Sequence, residues 1–554
     1  MATINRFTRS DISPKNPLFS SFKTMIESAF YGNNVYEVAD LKEAYELAKD
    51  APGTTVTDMP VIHTQELGLP EDAKVLVAND GKIVGRTAAA RRIIGQPGID
   101  AEYYRGILRE ALYQGTMRKF YSGKAVVGLD PEFMVQSHLM IAEGFEMNFY
   151  SYLLNFQIVT QGMSKLYQRS TAYSENDLYV YADPYWSHPD FPNGLALFDP
   201  AHNVAAILGL RYFGELKKAT LTLAWGTAHR NGFVACHGGM KQYHLPDRKY
   251  TMAAFGLSGS GKSTITLAKH GDKYHVDVLH DDAFVINKEK GSTTALEPAY
   301  FDKTQDYPLS DPSVDYFLTC QNVGVTLDEN NQKVLVTQDI RNGNGRTVKS
   351  RYVTPDRVDY LAEKIDAVFW IMKDDSLPPV VRIDDPVLAA VFGLTLATKR
   401  SSAENVVGNV NLEKLVIEPF ANPFRCYPLR EDYADFRDLF AKQETACYIL
   451  NTGFYGAKKV TPQVTLGAIE KIVEGKADFV EFGPLTAMSY LPIEGYEVEF
   501  TDTNYLDQLK KRMESRLEFI TKQSTADDGY NALPEETSLL IQRLIEQLEA
   551  GVKS

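Results

Sequence analysis

Gly256-Leu257-Ser258-Gly259-Ser260-Gly261-Lys262-Ser263-Thr264 is the stretch whose reading decides the fold. It fits G-x-x-x-x-G-K-[ST], the pattern of a phosphate-binding loop. An apolar run over residues 250–255 leads into it, and residues 265–269 continue in helix-compatible fashion. Strand, glycine loop and helix start are the setting the pattern requires. The glycines let backbone N–H groups close around phosphate oxygens. The helix N-terminus adds a positive dipole, Lys262 adds a point charge, and Ser263 offers a hydroxyl to Mg²⁺. Without the flanking runs, the same residues would read as a glycine-rich turn capped by a serine.

The chain is 554 residues long, room for two to four domains. Its 44% hydrophobic and 23% charged residues support a large core and exclude global disorder. A net charge of −14 argues against a nucleic-acid binder, although a local basic cleft for anionic substrates remains compatible with it. Cys236, Cys320, Cys426 and Cys447 are far apart, so neither a zinc site nor a disulfide framework is indicated. The first residues lack the pattern of a signal peptide, and no long apolar run predicts a membrane helix. The expectation is a soluble, cytoplasmic α/β protein without membrane or nucleic-acid partners.

Outward from the loop, Asp40-Leu41-Lys42-Glu43 is a capping box, followed by apolar Leu41, Ala44, Tyr45 and Ala48 at helical spacing. Asn79-Asp80-Gly81 between residues 75–78 and 83–84 is a hairpin signal that delivers Arg86 just past a strand. Residues 205–211 and 220–224 read as strands, as do 276–282, 334–337, 367–371 and 447–450. Pro534 at the start and Gly551 just past the end frame an amphipathic C-terminal helix. The division these patterns suggest is 1–245, 246–525 for the nucleotide module, and a helical tail over 526–554.

Asp281 and Asp282 lie about twenty residues past Lys262, at the end of an expected strand. Phosphate-loop proteins place an acid there to hold Mg²⁺, directly or through water. Elsewhere, paired acids at a strand end are ordinary turn residues.

The segments around the loop carry a more specific signal. Residues 256–264 resemble G-L-S-G-T-G-K-T-T of the ATP-dependent phosphoenolpyruvate carboxykinases. Tyr212-Phe-Gly-Glu-Leu-Lys217-Lys218 resembles that family's Y-x-G-E-M-K-K, and His237 follows at the family's spacing for its metal histidine. Residues 279–282 resemble I-G-D-D, and residues 297–304, with Glu297 and Lys303, resemble E-G-G-C-Y-A-K-T. Residues 377–382, ending in Arg382, resemble L-P-P-V-S-R, and residues 451–456 resemble N-T-G-W-N-G. The segments keep the family's order.

The resemblance implies a bilobal carboxykinase fold with mixed sheets, a substrate domain and a phosphate-loop nucleotide domain. It implies conversion of oxaloacetate and ATP to phosphoenolpyruvate, CO₂ and ADP, a step of gluconeogenesis or anaplerosis. By position, Lys218, His237 and Asp282 would be ligands of Mn²⁺, with Lys217 depressing the pKa of Lys218, because an amine coordinates only when deprotonated. Mg²⁺ would accompany the nucleotide on Ser263. Arg86 and Arg382 would be bidentate clamps, Arg86 on a substrate carboxylate and Arg382 bridging substrate and γ-phosphoryl group. Tyr212 and Ser258 would line the substrate side. Residues 256–264, Asp281, Glu297, Lys303, Arg382 and Lys459 would contact ATP or ADP. Apart from a family setting, Lys217-Lys218 would read as a solvated basic pair, His237 as a core histidine, and either arginine as a surface ion pair.

The chain departs from the family pattern after Arg86, where Thr87-Ala-Ala-Ala-Arg-Arg92 replaces S-P-K-D-K. It departs again after Asp282, and near Lys459, where a lysine replaces the adenine-side arginine. The altered Arg86 segment keeps one alternative open, a kinase on the same fold acting on another small acid or a protein hydroxyl. A further alternative is a non-catalytic nucleotide-binding regulator, against which the retained Lys218, His237 and Asp282 with Arg382 speak.

Overall fold

A computed structural model describes residues 2–79, 88–158, 160–257, 259–338, 344–399 and 415–553. The chain divides into two compact units. Among the described residues, the first takes 2–231 and 294–359, and the second takes 232–293, 360–399 and 415–553. This differs from the linear division expected from the sequence: the boundary falls before residue 245, and the chain returns to the first unit after leaving it. The reason is strand pairing. Phe317–Gln321 pairs in parallel with Lys74–Ala78, a partner some 240 residues earlier that no local pattern announces.

In the first unit, described strands form one sheet in the order Val35–Glu37, Phe120–Asp130, Phe133–Ala142, Leu178–Asp183, Val204–Leu208, Leu195–Asp199, Arg91–Ile93. A second sheet runs Tyr300–Lys303, Arg346–Lys349, Phe317–Gln321, Lys74–Ala78, Thr54–Pro60. The capping box behaves as read: Asp40 accepts from the backbone N–H of Glu43, and Leu41, Ala44, Tyr45 and Ala48 are buried along helix Leu41–Lys49.

One strand reading is overturned. Residues 220–224 lie inside the helix Phe213–Arg230, which is buried on nearly every side. A helix without a polar face shows no 3.6-residue stripe, and the alternation of Thr and Leu imitates a strand. The threonines are accommodated because Thr220 and Thr227 donate to the carbonyls of Leu216 and Leu223, each at 3.1 Å.

The second unit is built on a mixed sheet: His275–His280, Gly239–His244, Lys249–Phe255, Ala367–Met372, Ala446–Asn451, Val380–Ile383, Leu485–Tyr490, Val480–Phe482. Lys249–Phe255, Ala367–Met372 and Ala446–Asn451 pair in parallel. Every residue of Ala367–Met372 is buried, which is why it reads as one apolar run: both faces of a parallel strand are covered. Ile265, Ala468, Ile469 and Ile472 pack on one face. On the other, Phe436 of helix Leu429–Gln443 meets Phe255 and Trp370 at 5.4 and 5.3 Å between ring centroids.

The C-terminal helix is Glu535–Lys553 and does not stop before Gly551. A Cβ at Gly551 would sit 3.2 Å from Pro484 Cγ, so this glycine serves close packing rather than termination. Among the described residues no helix is long and apolar enough to cross a membrane.

Candidate active site

The glycine loop emerges from the C-terminal end of Lys249–Phe255 and opens the helix Lys262–Leu267. Gly259 and Gly261 have φ of +80° and +98°, a region closed in practice to side chains with a Cβ. Gly261 is the N-cap and offers no side chain, so the first amides of the helix are not claimed by a cap. The loop is tied down by its carbonyls: Thr452 Oγ1 donates to Ser260 O at 2.8 Å, and Lys373 Nζ donates to Gly259 O at 3.0 Å.

Asp281 and Asp282 occupy the corner between His275–His280 and Ala283–Asn287. His280 Nδ1 holds that corner by accepting from the N–H groups of Asp282 and Ala283, at 2.9 and 3.2 Å. The corner faces the loop. Ser263 Oγ donates to Asp281 Oδ2 at 2.6 Å, and Lys262 Nζ donates to Asp282 Oδ1 at 3.2 Å. His237 ends a strand that pairs with Ala283–Asn287, which brings its Nε2 to 3.0 Å from the same Asp282 oxygen.

The tautomer follows from the other ring nitrogen. His237 Nδ1–H donates to the carbonyl of Ala421, so in a neutral ring Nε2 carries a lone pair. A lone pair and a carboxylate oxygen 3.0 Å apart call for a shared proton or a cation between them. An imidazole whose second nitrogen is held by a carbonyl is also the usual arrangement of a metal-ligating histidine. The donor set of this corner therefore fits a divalent ion.

Lys241 supports the loop from behind. Its side chain is fully buried, and Nζ donates to the carbonyls of Ile265 and Ala268 at 2.8 and 2.9 Å, at the end of the loop's helix. Burial pushes its pKa down to about 7. Below pH 7 the folded and unfolded chains are both protonated here, and the cost of burying the charge is complete. Between about pH 7 and the ordinary lysine range the unfolded chain holds the extra proton, so this group makes stability rise with pH. Lys241→Met is expected to flatten the slope by up to about 1.4 kcal/mol per pH unit. Urea midpoints of wild type and variant at pH 7 and pH 9 check this; parallel slopes would contradict it.

A cavity of about 750 Å³ adjoins the loop within the second unit. Its lining includes Lys373, Thr452, Gly453, Phe454, Lys459 and Arg512. Lys459 is exposed there, on the short strand Lys458–Lys459. Phe454, within the segment 451–456, is 49% exposed and offers an aromatic face.

Other expected residues lie in the first unit. Lys217 is buried, with Nζ 2.9 Å from Glu297 Oε1, and Asn155 donates to the other Glu297 oxygen at 2.6 Å. Glu297, expected to contact nucleotide, is thus the buried partner of Lys217. Lys218 is on the helix Phe213–Arg230, with its ammonium 5.7 Å from the Trp225 ring centroid. Lys303 stands opposite Arg346 in the register of two antiparallel strands. Arg86 and Ser258 fall outside the described residues.

Arg382 lies opposite Tyr448 in the second unit's sheet, with Nε 2.9 Å from Asp384 Oδ1 and the guanidinium 4.9 Å from the centroid of Phe479. Those are the contacts of a structural ion pair stacked on a ring. A different arginine has the environment expected of a clamp. Arg346 is 3% exposed in the first unit and adjoins the buried Tyr212 phenol. Its Nη1 donates to Gly345 O at 2.8 Å, while Nη2 is buried without a hydrogen-bond partner among the described residues. A buried donor left unmade is costly, and an arriving anion would satisfy it. The sequence signal existed: Asn344-Gly345 is a turn pair delivering Arg346 to a strand start, the same logic applied to Arg86.

Fold and corner together define a class: a mixed α/β protein whose glycine loop sets a lysine and a serine against paired carboxylates and an imidazole. Within that class the chain belongs to the phosphoenolpyruvate carboxykinase family, because residues 61–491 match that family's model. It is 25% identical to the phosphoenolpyruvate carboxykinase (ATP) of Aeropyrum pernix, over 52% of this chain and 60% of that protein. It is 24% identical to the phosphoenolpyruvate carboxykinase (ATP) of Saccharomyces cerevisiae, over 75% of this chain and 78% of that one. A relative from Trypanosoma brucei brucei, 24% identical over 50% of this chain and 59% of its own, is named the glycosomal phosphoenolpyruvate carboxykinase (ATP). The match thus spans less than two thirds of the first of these relatives. The family expected from the motif order is the family found.

Proposed function

We propose that this chain is an ATP-dependent phosphoenolpyruvate carboxykinase, converting oxaloacetate and ATP to phosphoenolpyruvate, CO₂ and ADP. The observation that carries the reading is the single Asp282 oxygen met by both His237 Nε2 and Lys262 Nζ, at 3.0 and 3.2 Å. It joins a phosphate-loop lysine to an imidazole that a simple nucleotide binder does not need.

The glycine loop is the phosphate-binding element. Lys262 neutralises phosphate oxygens, and Ser263 and Asp281 hold the nucleotide's Mg²⁺. The cavity bearing Phe454 and Lys459 takes the base, with Phe454 as its stacking surface. His237 and Asp282 hold Mn²⁺; the assignment of Lys218 as a further donor rests on the family resemblance alone. When bound, that ion supplies positive charge against oxygens that turn negative as CO₂ leaves. Arg346 is the candidate anion clamp of the first unit, with the Tyr212 phenol beside it. Lys217, neutralised by Glu297, sets the charge next to Lys218. Arg86 remains the proposed partner of a substrate carboxylate.

The test is direct. Full-length protein mixed with phosphoenolpyruvate, bicarbonate, ADP and Mn²⁺ should form oxaloacetate, read by coupling to malate dehydrogenase. Absence of product with several divalent ions, and with GDP in place of ADP, would overturn the assignment. Nucleotide turnover with another acceptor would then favour a kinase on this fold.

A further inference from the structure

We infer a second metal site, for a borderline first-row divalent cation such as Zn²⁺, formed by His244, His275 and Asp277 of the second unit. His275 and Asp277 are two apart on the edge strand His275–His280, so their side chains leave the same face while Val276 turns into the core. His244 ends the neighbouring strand and stands directly opposite His275 in the register. Three residues from two strands thus converge without any loop being required to fold over them.

The distances suit coordination. One ligand atom from each residue lies within 4.8 Å of the other two, and His244 Nε2 is 2.7 Å from Asp277 Oδ2. The two imidazole centroids are 4.4 Å apart. In a tetrahedral site with bonds of about 2.0–2.1 Å, donors stand roughly 3.3 Å apart. Side-chain rotation alone covers the difference. A plain hydrogen bond explains the His244–Asp277 pair but gives no role to His275.

The surroundings leave the cluster available. Lys249, opposite His244 on its other side, is engaged with Glu363 at 2.8 Å. Gln242, opposite Asp277, gives its Nε2 to Thr251 Oγ1 at 2.8 Å and to Glu363 Oε2 at 3.1 Å. Gln242 is fully buried, and its Oε1 has no partner among the described residues. A cation with bound water would bring a donor to that neighbourhood.

The chemistry selects the ion. Two imidazole nitrogens and one carboxylate suit Zn²⁺, Co²⁺ or Ni²⁺; Mg²⁺ and Ca²⁺ prefer oxygen sets. Three protein donors leave at least one position for water, and His275 is exposed, so the ion would exchange with solvent. The site is separate from the corner at Asp281 and Asp282: it sits at the other end of the same strand, roughly 15–20 Å away.

Full-length protein freed of metal by chelation and titrated with Zn²⁺ tests this, with bound metal counted per chain. His237→Ala disables the corner, and in that background one tight equivalent should remain. It should vanish in His237→Ala/His275→Ala and in His237→Ala/Asp277→Asn. Zn²⁺ should raise the Tm of His237→Ala and not that of the double variants. His275→Ala alone should fold and turn over as wild type, since its side chain is exposed. An unchanged count after loss of His275 or Asp277, or no tight equivalent in His237→Ala, would overturn the site.

Discussion

Arg346→Ala should lower carboxykinase turnover by roughly 10²-fold or more, the loss expected when a buried guanidinium no longer holds an anionic substrate. Arg382→Ala should change it little. The contrast rests on environment. Arg382 has its guanidinium occupied by Asp384 and Phe479. Arg346 is only 3% exposed and hydrogen-bonds to the buried Tyr212 phenol, whereas the Arg382 side chain is 38% exposed. The conservative change Arg346→Lys should recover only a small part of the loss, because a lysine cannot supply the planar fork. Steady-state kinetics in the phosphoenolpyruvate-carboxylating direction decide it. A large loss at residue 382 with near-normal activity at 346 would reverse the assignment.

Two residues on one carboxylate oxygen should fail differently. Lys262→Met removes the charge that faces phosphate, so ADP and ATP binding should weaken on the order of 10²-fold, and turnover should fall with it. His237→Ala should leave nucleotide affinity within a few fold while turnover drops roughly 10²–10³-fold. Nucleotide titration by calorimetry beside initial rates separates the effects. Equal loss of nucleotide affinity in both variants would mean that Asp282 serves the nucleotide alone. Full activity of His237→Ala would remove the imidazole from the reaction.

The parts of this molecule legible in the sequence were those written locally. The capping box at residues 40–43 places a helix because cap and apolar positions lie within one turn of each other. The glycine loop announces its own geometry, since positive φ at Gly259 and Gly261 is a property of those residues. The carboxylates at 281 and 282 were found because they follow the loop at a known spacing. What stayed hidden was non-local or lacked a solvent-facing side. The helix over residues 213–230 has no polar stripe to betray its period. The Asn344-Gly345 turn points to Arg346, but its burial beside the Tyr212 phenol shows only once the neighbours are in place. The pairing of Arg382 with Asp384 is two residues long in sequence, yet the Phe479 ring beneath the guanidinium shows only in the fold.

The return of residues 294–359 to the first unit has a consequence for how the chain is made. Strand Lys74–Ala78 leaves the ribosome long before its parallel partner Phe317–Gln321 exists. Until then the growing chain carries Val75, Leu76 and Val77, apolar side chains destined for the interior, on a strand with one open edge. At about 5–20 residues per second, that edge waits on the order of 10–50 s for its neighbour. The second unit's first strands are also made during the wait, so neither unit can finish before the other has begun. Slowing elongation between residues 232 and 316 should therefore lower soluble yield without altering the folded product.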